Sequence, residues 1–280
     1  MRFPGWFPGF LELDADRCGI LVAALRQADV PCSLFESGAG RFIVARPRES
    51  VRDSLYRAKV VTAHYDRVPG TPGALDNSAA CLQLWRYLSE GKDAYNLSAV
   101  FTDREELSGR PATEQGSFAL GKAFGSLGLG APLVFTLDVT GRGDALVVSE
   151  SASWLRGEGG TMDRLAAEVE DTAADLLRVV AGRMPIHRGR IPFGEDLGFL
   201  RAGLPALALT VLPRDEAEEL AGPVGVPSWA MPSRPRGRRP HTWSLLHGQE
   251  DTPDHYTDAA FELMEKLLRA LGALRVRTRV

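Results

Sequence analysis

Apolar and polar positions fall along this chain in blocks that alternate between strand-like and helical spacing. Cys18, Leu21, Val22 and Leu25 recur at helical spacing within residues 14–28, with Asp14 or Asp16 as N-cap and Pro31 beyond the end. Strand-like runs follow at 33–35 and 41–45, separated by Gly38-Ala39-Gly40, and an apolar, β-branched run occupies 58–63. Ala80, Cys81, Leu84, Trp85 and Leu88 then mark one face of a helix that begins after Asp76. Further strand-like runs lie at 97–102, 132–137, 144–149 and 206–211. A long helix is predicted over 162–181, with Gly182 past its end, and a last one over 258–274 that buries Phe261, Met264, Leu267, Leu268 and Leu271. This alternation predicts a single α/β domain over residues 1–280, a three-layer α/β/α arrangement around a mostly parallel mixed central sheet.

Residues 213–240 break the pattern. Pro213, Pro223, Pro227, Pro232, Pro235 and Pro240, with Arg234, Arg236, Arg238 and Arg239, predict a long Pro/Arg-rich loop insertion holding a short helix at 216–220. It reads either as a solvated loop or as a rim facing a substrate.

Three of the strand-like runs finish in reactive side chains. The run 58–63 ends at His64, 97–102 leads into Asp103-Arg104-Glu105-Glu106, and 132–137 ends at Asp138. In open α/β sheets, sites gather beyond the carboxyl ends of strands, because the loops converge there on a rigid base. A neutral His64 imidazole can ligate a metal while Asp66 holds its other ring nitrogen. A Gly/Pro loop delivers Asp76 to a helix start, where two carboxylate oxygens can bridge two cations. Taken alone, these residues read as a surface histidine and a helix-capping aspartate, and Glu105-Glu106 as a solvated charge pair. Their shared position after buried strands favours a site.

The set is ordered. Ala63-His64-Tyr65-Asp66 precedes Gly73-Ala74-Leu75-Asp76-Asn77; Glu105-Glu106 precedes Gly116-Ser117; Asp138 follows a strand; and His247 to Thr252 comes late. Over about residues 58–271 this resembles the M28 family of zinc peptidases, the aminopeptidase-like exopeptidases with co-catalytic zinc. Glu195-Asp196 with Phe199 and Gly203-Leu204-Pro205-Ala206 also looks like a segment of that family. The resemblance implies a zinc-exopeptidase-like fold and two Zn2+ ions bridged by Asp76. His64 and Asp138 would complete one, Glu106 and His247 the other, with Glu105 as general base and Asp66 orienting His64. It also implies a cis Asp76–Asn77 peptide. His247 is preferred to His241 because Glu250-Asp251-Thr252 follows at the family spacing, which leaves His241 as a rim or substrate contact. His187 and His255 read as surface residues. Ala79, Ala80, Leu197 and Gly248 depart from the family's usual residues, which bears on substrate preference more than on metal binding.

Two zinc ions against three ligand carboxylates leave one net positive charge, which acidifies water and polarises a carbonyl. The implied activity is hydrolysis of the N-terminal peptide bond of a peptide or aminoacyl amide, with Glu105 passing a proton from water to the leaving amine. The alternatives are a glutaminyl-cyclase-like acyltransferase or other amidohydrolase on the same fold, a non-catalytic peptide- or metal-binding descendant, and a carboxypeptidase whose Arg-rich loop holds the substrate carboxylate.

Composition narrows the setting. At 280 residues and 44% hydrophobic, the chain can bury a full core. Its 33 basic and 36 acidic residues give no global field that would draw nucleic acid or a membrane surface. Cys18, Cys32 and Cys81 are scattered and odd in number, against a disulfide framework or a cysteine zinc site. No apolar run approaches the roughly 20 residues of a membrane span, and the first residues lack a leader-like apolar core, so a cytoplasmic protein is expected.

Overall fold

The computed structural model describes residues 2–91, 94–106, 111–221 and 240–277. Two helices, α1 (Phe7–Leu11) and α2 (Arg17–Gln27), lead into a hairpin of β1 (Cys32–Ser37) and β2 (Gly40–Ala45). Strand β3 (Ser50–Val51) precedes β4 (Lys59–His64), and α3 (Ala79–Ser89) follows it. Next come β5 (Ala94–Tyr95), β6 (Leu97–Thr102), α4 (Gly116–Ala123), β7 (Leu133–Leu137) and β8 (Ala145–Ser149). The chain continues through α5 (Gly160–Val180), β9 (Ile186–Gly189), α6 (Glu195–Arg201) and β10 (Ala206–Leu212). Helices α7 (Arg214–Ala221), α8 (His241–Leu245) and α9 (Asp258–Ala273) close it.

Eight strands form one sheet in the order β1-β2-β6-β4-β7-β10-β8-β9, and four of its seven pairings are parallel. The parallel run β6-β4-β7-β10 is its centre, with Val61 opposite both Ala99 and Phe135. Every residue of these four strands is buried, the condition under which strands carry continuous apolar runs instead of alternation. Antiparallel strands guard the flanks, so the mostly parallel mixed sheet predicted from the sequence is the one observed.

Helices surround the sheet. On one side of the core α3 and α5 each pack against α9, whose Met264, Leu267 and Leu271 are fully buried. Helices α4 and α6 cross closely, because a Cβ on Gly198 would stand 2.0 Å from Ser117 Oγ and one on Gly121 2.8 Å from the Ala202 Cβ. That crossing sets α6 with its acidic first turn, Glu195-Asp196, facing the ends of the central strands.

Some elements differ from expectation. Helix α2 begins at Arg17, which makes Asp16 rather than Asp14 the N-cap residue, and α1 carries Phe7 and Phe10 into the core although five residues are too few to show a period. Strand β9, half-buried at the sheet edge, has no apolar run to announce it. The short helix expected at 216–220 is α7, whereas residues 222–239 of the Pro/Arg-rich insertion, with Arg234, Arg236, Arg238 and Arg239, lie outside the described residues. No helix among the described residues is long and apolar enough to cross a membrane.

Candidate metal centre

His64 is the last residue of β4 and is fully buried. Its Nδ1 lies 3.4 Å from Asp66 Oδ1, and its Nε2 lies 3.1 Å from Asp76 Oδ1 and 3.6 Å from Asp138 Oδ1. Asp138 directly follows β7, and Glu105 and Glu106 lie just past β6. His247 approaches from far along the chain, with Nε2 3.0 Å from Asp76 Oδ2 and 3.4 Å from Glu106 Oε2. Two clusters result, His64–Asp76–Asp138 and Asp76–Glu106–His247, in each of which one ligand atom per residue lies within 4.8 Å of the others. Asp76 belongs to both.

The loop between β4 and α3 is shaped to place Asp76. Gly73 turns it with φ +59°, a left-handed conformation that favours glycine, and a Cβ there would stand 2.9 Å from the Asp76 carbonyl. The Asp251 carboxylate accepts the backbone N–H groups of Leu75 and Asp76, and Asn77 Nδ2 donates to the Leu137 carbonyl at 2.7 Å, beside Asp138. The Asp76–Asn77 peptide is cis. Asp66 does double duty: one oxygen faces His64 and the other accepts the Glu106 N–H at 3.0 Å. Arg104, Val139 and His247 adopt positive φ without being glycine, a costly conformation for L residues, and each belongs to a cluster or adjoins Glu105 or Asp138.

Burial and crowding perturb His64, Asp76, Glu105, Glu106 and Asp138. Burial opposes protonation of His64, but the facing carboxylates of Asp138, Asp66 and Asp76 overcome it and hold the imidazole well above its ordinary range. Asp76 is pulled the other way: against burial, His247 and His64 keep its carboxylate below the usual range. Burial, then the charge of Asp76, pushes Glu106 up to about 8, and the same two causes raise Asp138. Glu105 is lifted well above the carboxylate range by burial, with Asp138, Asp76 and Glu106 adding to the effect against His64.

These residues fit bound zinc. Among the described residues, His64 Nε2, Glu106 Oε1 and Asp138 Oδ1 are buried with no hydrogen-bond partner, a cost that a cation in each cluster would remove. Imidazole nitrogens and carboxylate oxygens are zinc's ordinary ligands, and catalytic sites commonly take three from the protein, the number each cluster offers.

Glu105 joins neither cluster. It stands beside Asp138, since a Cβ on Gly194 would lie 3.2 Å from Glu105 Oε1 and 3.1 Å from Asp138 Oδ2. Gly194 is a site residue that sequence reasoning missed; its one signal is a glycine immediately before the acidic first turn of α6. The role of Asp251 in holding Asp76 was likewise hidden behind its motif. His241 is exposed and pairs through Nδ1 with Ser244 Oγ at 3.1 Å, outside both clusters, as are the partly buried His187 and His255.

The family model described as Peptidase family M28 matches residues 46–272. Among solved structures, LapA of Legionella pneumophila is 15% identical with a TM-score of 0.63, covering 91% of this chain and 65% of LapA. A leucine aminopeptidase precursor from Bacteroides thetaiotaomicron is 14% identical with a TM-score of 0.61, covering 95% of this chain and 94% of that one. A glutaminyl cyclase from the same organism is 13% identical with a TM-score of 0.62 and the same coverage, 95% and 94%. At these identities the likeness is one of fold, and the chain spans less than two thirds of LapA's length, 65%. No curated protein matches the chain.

Proposed function

The chain belongs to peptidase family M28, and from that premise we propose that it is a dinuclear zinc exopeptidase that removes the N-terminal residue of peptides. The observation that carries this reading is the sharing of Asp76 between two three-residue clusters, with Glu105 beside them and bound to neither. Zinc held there would act as a Lewis acid on the scissile carbonyl and on the attacking water.

The protein's own groups supply the rest. Asp66, facing Nδ1, orients the imidazole so that Nε2 of His64 points at Asp76 and Asp138. Glu105, partly buried and raised above the usual carboxylate range, is suited to take a proton from water and return it to the leaving amine. Adjacent side chains at a strand end diverge, which lets Glu106 face His247 while Glu105 faces Gly194.

The second reading is a glutaminyl-cyclase-like acyltransferase, favoured by the equal likeness to the Bacteroides cyclase fold. Two full three-residue clusters sharing Asp76 favour the dinuclear hydrolase over it.

Metal analysis of the purified chain, with mass spectrometry on free, N-acetylated and C-amidated peptides, tests the proposal. Two zinc equivalents and loss of one N-terminal residue, abolished by N-acetylation and indifferent to C-amidation, are expected. A cyclised product without water addition establishes the second reading, loss of cleavage on C-amidation a carboxypeptidase, and a folded chain that binds no divalent metal refutes all three.

A further inference from the structure

Arg17 opens α2 and is buried, 5% exposed, with its guanidinium against the loop that carries Asp66 and Asp76. Nη1 donates to the Tyr65 carbonyl at 2.9 Å, and Nη2 donates to the Pro72 carbonyl and to Ser78 Oγ, each at 2.9 Å. Nε donates to the Phe10 carbonyl at 3.1 Å, and the Phe10 ring lies 4.6 Å from Cζ. Tyr65 separates His64 from Asp66, and Ser78 follows Asp76 by two positions. The three loop contacts therefore hold the ligand-bearing segment near its beginning, middle and end.

A second arginine sews the same seam from the other side. Arg67, inside the loop, donates through Nη1 to the Leu11 and Pro72 carbonyls at 2.9 Å each, and through Nη2 to the Glu12 carbonyl. Both guanidinium groups thus meet at Pro72, and residues 10–17 are tied to residues 65–78. The N-terminal part of this seam lies outside the 46–272 family match.

A buried charge is tolerated only when its donors are satisfied. Arg17 meets that condition with oxygens of the loop, and its planar fork fixes the direction of each contact in a way that an apolar side chain or a lysine cannot. A carbonyl fixed at Tyr65 fixes the peptide that leads into Asp66. Ser78 Oγ, itself held by Arg17, donates to the Gly73 carbonyl at 2.5 Å and so closes the turn around Asp76.

We propose that Arg17 is a positioning residue for the metal centre, presetting Asp66 and Asp76 around His64 through the Tyr65 and Pro72 carbonyls and the Ser78 hydroxyl. This rests on the zinc reading above.

The test compares wild type with Arg17→Met and Arg17→Lys by zinc competition against a chelator, by the visible spectrum of the cobalt-substituted protein, and by melting with and without zinc. Groups that orient metal ligands are worth about 10- to 100-fold in metal affinity. Arg17→Met is expected to lose that much, to shift the cobalt spectrum, and to show a smaller rise in melting temperature on adding zinc, since that rise follows the affinity. Arg17→Lys, whose ammonium reaches fewer of the oxygens, is expected to fall between. An arginine that only supports the fold would lower the metal-free and zinc-loaded melting temperatures equally and leave affinity and spectrum at wild type; that result overturns the proposal. Should Arg17→Met fail to fold, Ser78→Ala keeps the buried charge bonded to the carbonyls and removes the hydroxyl through which Arg17 is linked to the Gly73 carbonyl. A fall in its zinc affinity supports the proposal, and wild-type affinity overturns it. Wild type that takes up no zinc overturns the function reading and this inference together, whereas zinc-binding wild type with unchanged variants overturns this inference alone.

Discussion

Asp66 accepts the Glu106 backbone N–H at 3.0 Å with one carboxylate oxygen while the other faces His64 Nδ1 at 3.4 Å. One side chain thereby steadies a member of each ligand cluster. Asp66→Ala is expected to weaken zinc binding by about 10- to 100-fold at both clusters, as for other groups that orient metal ligands. Chelator competition followed by residual zinc content measures it; loss confined to the His64 cluster would show that the amide contact is idle.

Glu105 lies in neither cluster. Glu105→Gln keeps the shape and removes the proton acceptor, so turnover should fall by about 10^2- to 10^4-fold, the range for a general base, with zinc uptake unchanged. Parallel kinetics and metal analysis decide, and a variant that loses zinc would instead make Glu105 a ligand.

Gly194 leaves room for two carboxylates. Alanine there would place a methyl group 3.1 Å from Asp138 Oδ2 and 3.2 Å from Glu105 Oε1, closer than either is ordinarily approached. Each must yield by a few tenths of an ångström. Misplacements of about 1 Å cost up to roughly 10^2-fold, so a loss on the order of 10-fold in kcat at near-normal thermal stability is expected of Gly194→Ala.

Glu195 accepts hydrogen bonds from Thr102 Oγ1 at 2.5 Å and from Thr62 Oγ1, joining β4 to β6 just beneath the site. Burial pushes its carboxyl up to about 7, against the pull of His64 and the two hydroxyls. Between its ordinary value of 4.5 and about 7, the folded protein keeps a proton that the unfolded chain releases. Stability therefore falls as pH rises through that window and levels off above it, by about 3 kcal/mol for this group. Asp196, raised to about 7 chiefly by burial, adds a slope of the same sign. Glu195→Gln should flatten the decline partially and melt above wild type near pH 8, as read by thermal unfolding of the metal-free protein from about pH 4 to 8.

Much of this was legible from the chain alone, for a physical reason. Buried parallel strands need continuous apolar runs, so a run that stops abruptly at His64, at Glu105-Glu106 or at Asp138 marks the edge where the core ends. Asp76 and His247 are different: neither ends a strand, and only the spacing of their motifs singled them out. Gly194 left only a glycine before an acidic turn, and the amide contacts of Asp251 and the four hydrogen bonds of Arg17 left no trace, because each depends on a distant partner. At the head of an amphipathic helix, Arg17 reads like any solvated residue until the carbonyls of residues 65 and 72 are seen around it.

Asp76 and His247 meet across 171 positions of chain, and Asp251 reaches back slightly farther to grip the Leu75 and Asp76 amides. A growing polypeptide that has not yet presented these late residues lacks both the second histidine and the brace on the shared aspartate. The two clusters consequently come together only once residues 247–251 have been made, and a chain that stops short of them holds neither the second histidine nor a fixed Asp76.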